Sequence, residues 1–236
     1  MQKQTVIACP VVNDVPGLIA LLTDVFGATS HADASGDLRI GDSILRLGEG
    51  DARPMAFHVY VPDTDATYMR ALRGGCESLL APVDEEWGER RANLKDRWGN
   101  CWYIATFKGE NYFSYGAPTI QPFLQPFDAG LVIAFLTRAF GATELGRATS
   151  PEGALLHATL KIGNSAIELI DAIDIYQPMP GIFYLSVAHR EAVYAQAINA
   201  GAEPVSGPDC LPHSVRDPFG NIWHLEELLP GNSAVN

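Results

Sequence analysis

The chain has 236 residues, 47% of them apolar, and carries 28 acidic against 16 basic side chains, for a formal charge of −12. That composition supplies a sizeable core, in one large domain or two of roughly 100–120 residues. The acidic balance works against nucleic acid and anionic membrane surfaces, which select basic stripes, and no run approaches the roughly 18 apolar residues of a membrane span.

In chain order, residues 5–12 read as a first strand. The apolar stretch before Pro10 is too short for the core of a signal peptide. Cys9, Cys76, Cys101 and Cys210 form no Cys-x-x-Cys pair, so reduced thiols, no structural zinc knot and a cytoplasmic protein are expected. Asp14 caps a helix over 15–26 with Pro16 in its first turn. Leu18, Leu21, Leu22, Val25 and Phe26 follow helical spacing, and Gly27 stops the helix. Strands are expected at 29–33, 37–41 and 43–48, the last two joined by a Gly41-Asp42 turn. A strand at 56–61 leads to a helix capped by Asp63 or Thr64, running to 72 and ended by Gly74-Gly75. Strands at 78–82, 90–96 and 101–107 follow, with Trp98-Gly99-Asn100 making the last turn.

After a link at 109–116 the pattern begins again. It runs strand 119–125, helix 129–140 and strands 143–148, 154–162 and 164–171, then strand 182–187, helix 190–200 and strands 203–206, 213–216 and 221–228. Local sequence repeats with it. Phe26-Gly-Ala-Thr returns at Phe140, and Ile40-Gly-Asp-Ser returns as Ile162-Gly-Asn-Ser. The stretch from Ala71 to Ser78 returns at Ala197, and Lys95-Asp-Arg-Trp-Gly-Asn-Cys-Trp returns as Arg216-Asp-Pro-Phe-Gly-Asn-Ile-Trp. Matches in one order with a drifting offset mark a duplication with loop insertions. The expectation is an α+β chain of four βαβββ modules, with domain A at 4–108 and domain B at 117–229. Each domain would be a curled mixed sheet forming a cup, with helices outside.

These motifs resemble the vicinal oxygen chelate superfamily, which includes glyoxalase I, bleomycin- and fosfomycin-resistance proteins and extradiol dioxygenases. The resemblance runs from Asp14 to Ala28, from Asp128 to Ala142, and through the Ile-Gly-Asp/Asn-Ser hairpins and Arg216 to Trp223. It implies a divalent ion in a cup, held by one side chain from each first and last strand, which chelates neighbouring substrate oxygens. The implied ligand positions in domain A are Ile7, Arg46, Ala56 and Tyr103, which leaves that domain without a metal. In domain B they are Gln121, Glu168, Ile182 and His224. Gln121, Glu168 and His224 would suit Mn, Fe, Zn, Co or Ni. As plain residues, Gln121 and Glu168 are equally read as polar cavity groups and His224 as a buried, hydrogen-bonded histidine.

Residues i and i+2 share a strand face, so His58 lies beside Ala56. With Arg46 and Tyr103 it would converge on a carboxylate or phosphate, and it has the chemistry of an acid or base. The alternative is that Arg46 pairs with an acidic neighbour. Phe123 and Tyr184 would wall the domain B cup for a flat or apolar ligand. His157 lies on a strand where the resembled proteins often carry histidine. Asp84-Glu85-Glu86-Trp87 reads as a surface loop at a rim.

Three functions remain open at this level. One is a metal-dependent lyase, isomerase or dioxygenase, with Glu168 and His58 as candidate catalytic groups. Another is a metal-free protein that sequesters a drug or metabolite. In the third, the fused copies form a pseudo-dimer within a monomer, or pair further as a homodimer.

Overall fold

The computed structural model describes residues 4–31, 36–108, 118–206 and 211–228; the link at 109–116 and Cys210 lie outside them. The fold is α+β and consists of four βαβββ modules. The first holds β1 (Val6–Ala8), β2 (Val11–Val12), α1 (Val15–Phe26), β3 (Thr29–Ser30), β4 (Asp37–Ile40), β5 (Ser43–Arg46) and β6 (Gly48–Glu49). The second holds β7 (Ala56–Tyr60), α2 (Thr64–Arg73), β8 (Glu77–Asp84), β9 (Glu89–Lys95) and β10 (Cys101–Phe107). The third holds β11 (Ile120–Leu124), α3 (Ala129–Phe140), β12 (Thr143–Thr149), β13 (Leu155–Ile162) and β14 (Ser165–Leu169). The fourth holds β15 (Ile182–Val187), α4 (Arg190–Asn199), β16 (Glu203–Pro204), β17 (Ser214–Arg216) and β18 (Ile222–Glu227). Among the described residues no helix is long and apolar enough to cross a membrane.

The chain divides into two compact units. The N-unit is Pro10–Phe123, and the C-unit joins Met1–Cys9 to Leu124–Asn236. In the N-unit, strands run in the order β11-β7-β10-β9-β8, with β5-β4-β3 in a second sheet and β2 paired with β6. In the C-unit the orders are β16-β17-β18-β15-β1 and β12-β13-β14. The first strand of each sequence copy therefore packs with the later copy's unit in one case and the earlier copy's in the other: β1 pairs with β15, and β11 pairs with β7.

The strand expected over 5–12 is split for this reason. Cys9 donates its N–H to Ile182 O at 2.8 Å, whereas Val11 and Val12 pair with β6. Pro10, which has no N–H to give a ladder, stands at the break. The strand expected at 29–33 is formed at Thr29–Ser30, and residues 32–35 lie outside the described set.

The repeated Gly-Asp/Asn-Ser hairpin holds these first strands in place. In the C-unit Asn164 Oδ1 accepts the Thr5 N–H at 2.8 Å, and Ser165 Oγ accepts the Val6 N–H at 2.8 Å. In the N-unit Asp42 Oδ1 accepts from Thr119 at 2.7 Å, and Ser43 Oγ accepts from Ile120 at 2.9 Å. The hairpin glycines have φ of 60° at Gly41 and 59° at Gly163, and a Cβ there would collide with Thr119 or Thr5. Glycine thus serves both the left-handed turn and the close approach of the captured strand.

One face of each five-stranded ladder is packed by helices through matched aromatic triplets. Trp102 stacks on Phe57 at 4.8 Å and meets Phe26 at 5.3 Å; Trp223 stacks on Phe183 at 4.5 Å and meets Phe140 at 4.8 Å. Each aromatic buried there contributes about 1.5–3 kcal/mol. Both tryptophans also donate Nε1–H at 3.0 Å to a buried aspartate, Asp96 or Asp217. Asp96 further accepts from the backbone of Trp98 and Asn100 and from Asn100 Nδ2 at 2.9–3.0 Å. Asp217 accepts the equivalent set from Phe219 and Asn221. Burial pushes both carboxyls above their ordinary value, and the converging N–H groups pull the other way. Asp96→Ala would strand four donors, so it is expected to cost about 3 kcal/mol, read as a lower urea midpoint. An unchanged midpoint would contradict this role.

Candidate ligand-binding face

The opposite face of the N-unit ladder carries polar side chains. Strand register aligns Gln121 with His58, His58 with Tyr103, and Tyr103 with Asn93, across β11, β7, β10 and β9. Cross-strand partners point to the same side of a sheet, so the four form one row. Gln121, Tyr103 and Asn93 are buried and His58 is half-buried. The Asn93 side chain has neither its Nδ2 nor its Oδ1 hydrogen-bonded, and Gln121 Oε1 has no partner either.

Aromatic rings surround the row. His58 lies 4.4 Å from Tyr60 and 6.3 Å from Phe123, and Tyr103 meets Phe123 edge-on at 5.1 Å. The rim is polar. Glu89 accepts from Tyr60 Oη–H at 3.2 Å and from Trp87 Nε1–H at 2.9 Å. Arg91 lies 5.6 Å from the Trp87 ring centre and pairs through Nε with Glu85. Trp87 itself is 59% exposed, so the Glu85–Trp87 loop borders this face. Of the residues singled out from sequence, His58, Tyr103, Phe123 and Gln121 come together here. Asn93, Tyr60, Glu89 and Arg91 join them. The i+2 step from His58 reaches Tyr60, and a hairpin register counted back from the Asp96–Asn100 turn reaches Asn93.

Arg46 does not share this face. Its strand β5 belongs to the other sheet, where it stands opposite Asp37. The guanidinium forks onto that carboxylate at 2.8 and 3.1 Å. Asp37 is 4% exposed and Arg46 22%. The acidic-neighbour alternative is the arrangement found.

The C-unit has the matching row Ile7, Tyr184, His224 and Ser214. Its histidine and tyrosine are exchanged relative to His58 and Tyr103, and they contact at 4.9 Å. Ser214 donates its hydroxyl proton to Leu211 O at 2.7 Å, so its oxygen receives the His224 Nδ1 hydrogen at 2.6 Å. A neutral His224 with Nδ1 protonated has Nε2 as its basic nitrogen. Glu168, 3% exposed, stands opposite Thr159, and its Oε2 is 3.3 Å from His157 Nε2.

For the divalent ion implied by resemblance, the C-unit donors are Glu168 and His224. They stand on separate sheets, β14 in one and β18 in the other. Among the described residues there is no group of three or more His, Cys, Asp or Glu side chains able to hold an ion. Gln121, Glu168 and His224 are carried by β11, β14 and β18, and no step is built through an ion at them.

On the helix side of the N-unit, a cleft of about 260 Å³ is lined by Leu21, Cys76, Arg97 and Trp98. Burial pushes the Cys76 thiol up to about 11, so it is a poor nucleophile at neutral pH. Cys9, Cys76 and Cys101 are buried and form no disulfide among the described residues.

Arg46→Ala would leave the Asp37 carboxylate buried without its fork. Discounted for the partial exposure of Arg46, the loss is expected to be about 2 kcal/mol, measured as a fall in urea midpoint at constant slope. An unaltered midpoint would mean that the pair carries no structural weight.

A search of family models returns no match. An uncharacterized protein of Mycobacterium bovis is 35% identical over 126 residues, which cover 46% of this chain and 82% of that protein. An uncharacterized protein of Mycobacterium tuberculosis is also 35% identical over 126 residues, 73% of its length. Among solved structures, glyoxalase I from Zea mays superposes with a TM-score of 0.66 at 17% identity, over 93% of this chain and 90% of that one. A putative dioxygenase from Bacillus subtilis superposes with a TM-score of 0.57 at 14% identity, over 98% and 88%. The chain thus belongs to the family of these mycobacterial proteins and has a tandem glyoxalase-like fold.

Proposed function

We propose that the His58–Tyr103 face of the N-unit binds a small, flat organic molecule. The carrying observation is the combination of aromatic walls with buried, unpaired amide atoms on Asn93 and Gln121. His58, Tyr60 and Phe123 offer π-surfaces for stacking. Tyr60 and Glu89 tie the rim together. This reading favours sequestration or presentation of a metabolite or drug-like compound, and the similarity to the glyoxalase I fold is compatible with it. Quinoline is a suitable first probe. It should bind saturably at millimolar concentration or below, with shifts in His58 ring signals. Tyr60→Ala should weaken it by about tenfold. No saturation by quinoline or by its 2-oxo analogues, or equal binding by the variant, would reject the face as the site.

A second reading rests on His157 and Glu168, a nitrogen and an oxygen 3.3 Å apart. That donor pair suits a divalent transition ion, with further ligands supplied by substrate or water. It would leave room for a metal-dependent lyase, isomerase or dioxygenase. Protein purified without chelator should then carry close to one equivalent of Mn, Fe, Co, Ni or Zn, lost in Glu168→Ala. Less than about a tenth of an equivalent in the parent protein, unchanged in the variant, would remove this reading.

A further inference from the structure

The geometry points to a ligand with an amide-like edge, an N–H beside a C=O, read by the Asn93 carboxamide. The inference rests on the proposed ligand-binding face and adds the chemical class of what binds there. Lactams, primary carboxamides and nucleobase-like heterocycles all carry this edge.

Asn93 sits in the middle of β9 with no exposed surface, yet neither polar atom of its side chain has a partner. Its neighbours along the strand are fully buried apolar residues, Ala92 and Leu94, which face the helices. A leucine would satisfy the packing at 93 without leaving an unpaired amide. Buried amides are otherwise almost always paired. A carboxamide presents a donor and an acceptor side by side, and its natural complement is another donor–acceptor edge. The same bidentate logic lets asparagine and glutamine read adenine.

Two further observations fit that complement. Gln121, at the far end of the same row, contributes a buried Oε1 that also has no partner, an acceptor for a second donor on the ligand. Between them the row presents the rings of His58 and Tyr103, with Phe123 beside Tyr103. A planar heterocycle lying against those rings would direct its polar edge along the sheet toward Asn93. A flat hydrocarbon would leave both amides unpaired. Charge is not the basis of recognition at this row, since none of its four side chains carries a fixed charge.

Three bicyclic probes of nearly equal shape test this by titration calorimetry on the whole chain. Quinolin-2(1H)-one has the N–H and C=O pair, 1-methylquinolin-2(1H)-one lacks the donor, and quinoline lacks the edge. The expected result is that the lactam binds at least about tenfold more tightly than either analogue. Asn93→Leu should erase that preference while quinoline binding is kept or improved; circular dichroism checks that the variant is folded. Asn93→Ala, which removes both the donor and the acceptor, should also lose the preference and serves if the leucine variant does not fold. Equal binding of all three probes, or a preference that survives Asn93→Leu or Asn93→Ala, overturns the amide-edge inference but leaves the binding face standing. In that case a buried water satisfies Asn93. Absence of binding by all three at millimolar concentration overturns both.

Discussion

The buried aspartate in the turn before each last strand fixes the geometry on which the candidate site depends. Asp96 gathers N–H groups from Trp98, Asn100 and Trp102, and Asn100 Oδ1 in turn accepts the Met55 N–H at 3.0 Å. One carboxylate therefore closes the β9–β10 turn, and through Asn100 it anchors the residue just before β7. The result is a locked register in which His58, Tyr103 and Asn93 stand abreast. A slip of one residue would send all three to the helix side. Asp217, Asn221 and the Gly181 N–H repeat the arrangement in the C-unit at 2.9 Å. Its strictness explains how the two copies keep the same skeleton while their working faces have diverged.

That divergence is informative. The helix-facing aromatics are preserved almost residue for residue, Phe26, Phe57 and Trp102 against Phe140, Phe183 and Trp223. The opposite faces are not. The N-unit row has unpaired amides at its two ends, whereas the C-unit row ends in Ile7 and in a serine already engaged with His224 and Leu211. Packing constrains one side of each ladder tightly, because any change of volume is felt by close neighbours. The other side carries different side chains in the two copies.

Much of the fold was legible in the sequence because its signals are local. Helical spacing, Asp14 and Asp128 as caps, Gly27 and Gly141 in left-handed stops, and the Trp-Gly-Asn turn all act within a few residues. Four of the site residues were legible by strand parity from implied ligand positions. Asn93 was not. In Arg-Arg-Ala-Asn-Leu-Lys, alternation alone assigns it to a solvated face, and only its pairing with Tyr103 makes it interior. The assignment of Arg46 and His58, and of Glu168 and His224, to different sheets was equally out of reach. It depends on which ladder each strand joins, a non-local choice made by β1 and β11. The Gly-Asp/Asn-Ser hairpin was visible as a repeat, but its task of gripping a distant strand was not.

That grip has an architectural cost. A fragment trimmed to one sequence copy would keep β1 without β15, and β7 without β11, and so would present raw strand edges of the kind that recruit other chains. Two such fragments would be prone to trade first strands and come out as a swapped dimer. Gene fusion converts that encounter into an intramolecular one at high effective concentration. Either face can change without disturbing the ladders, whereas removing one copy uncovers the edges at β15 or β7.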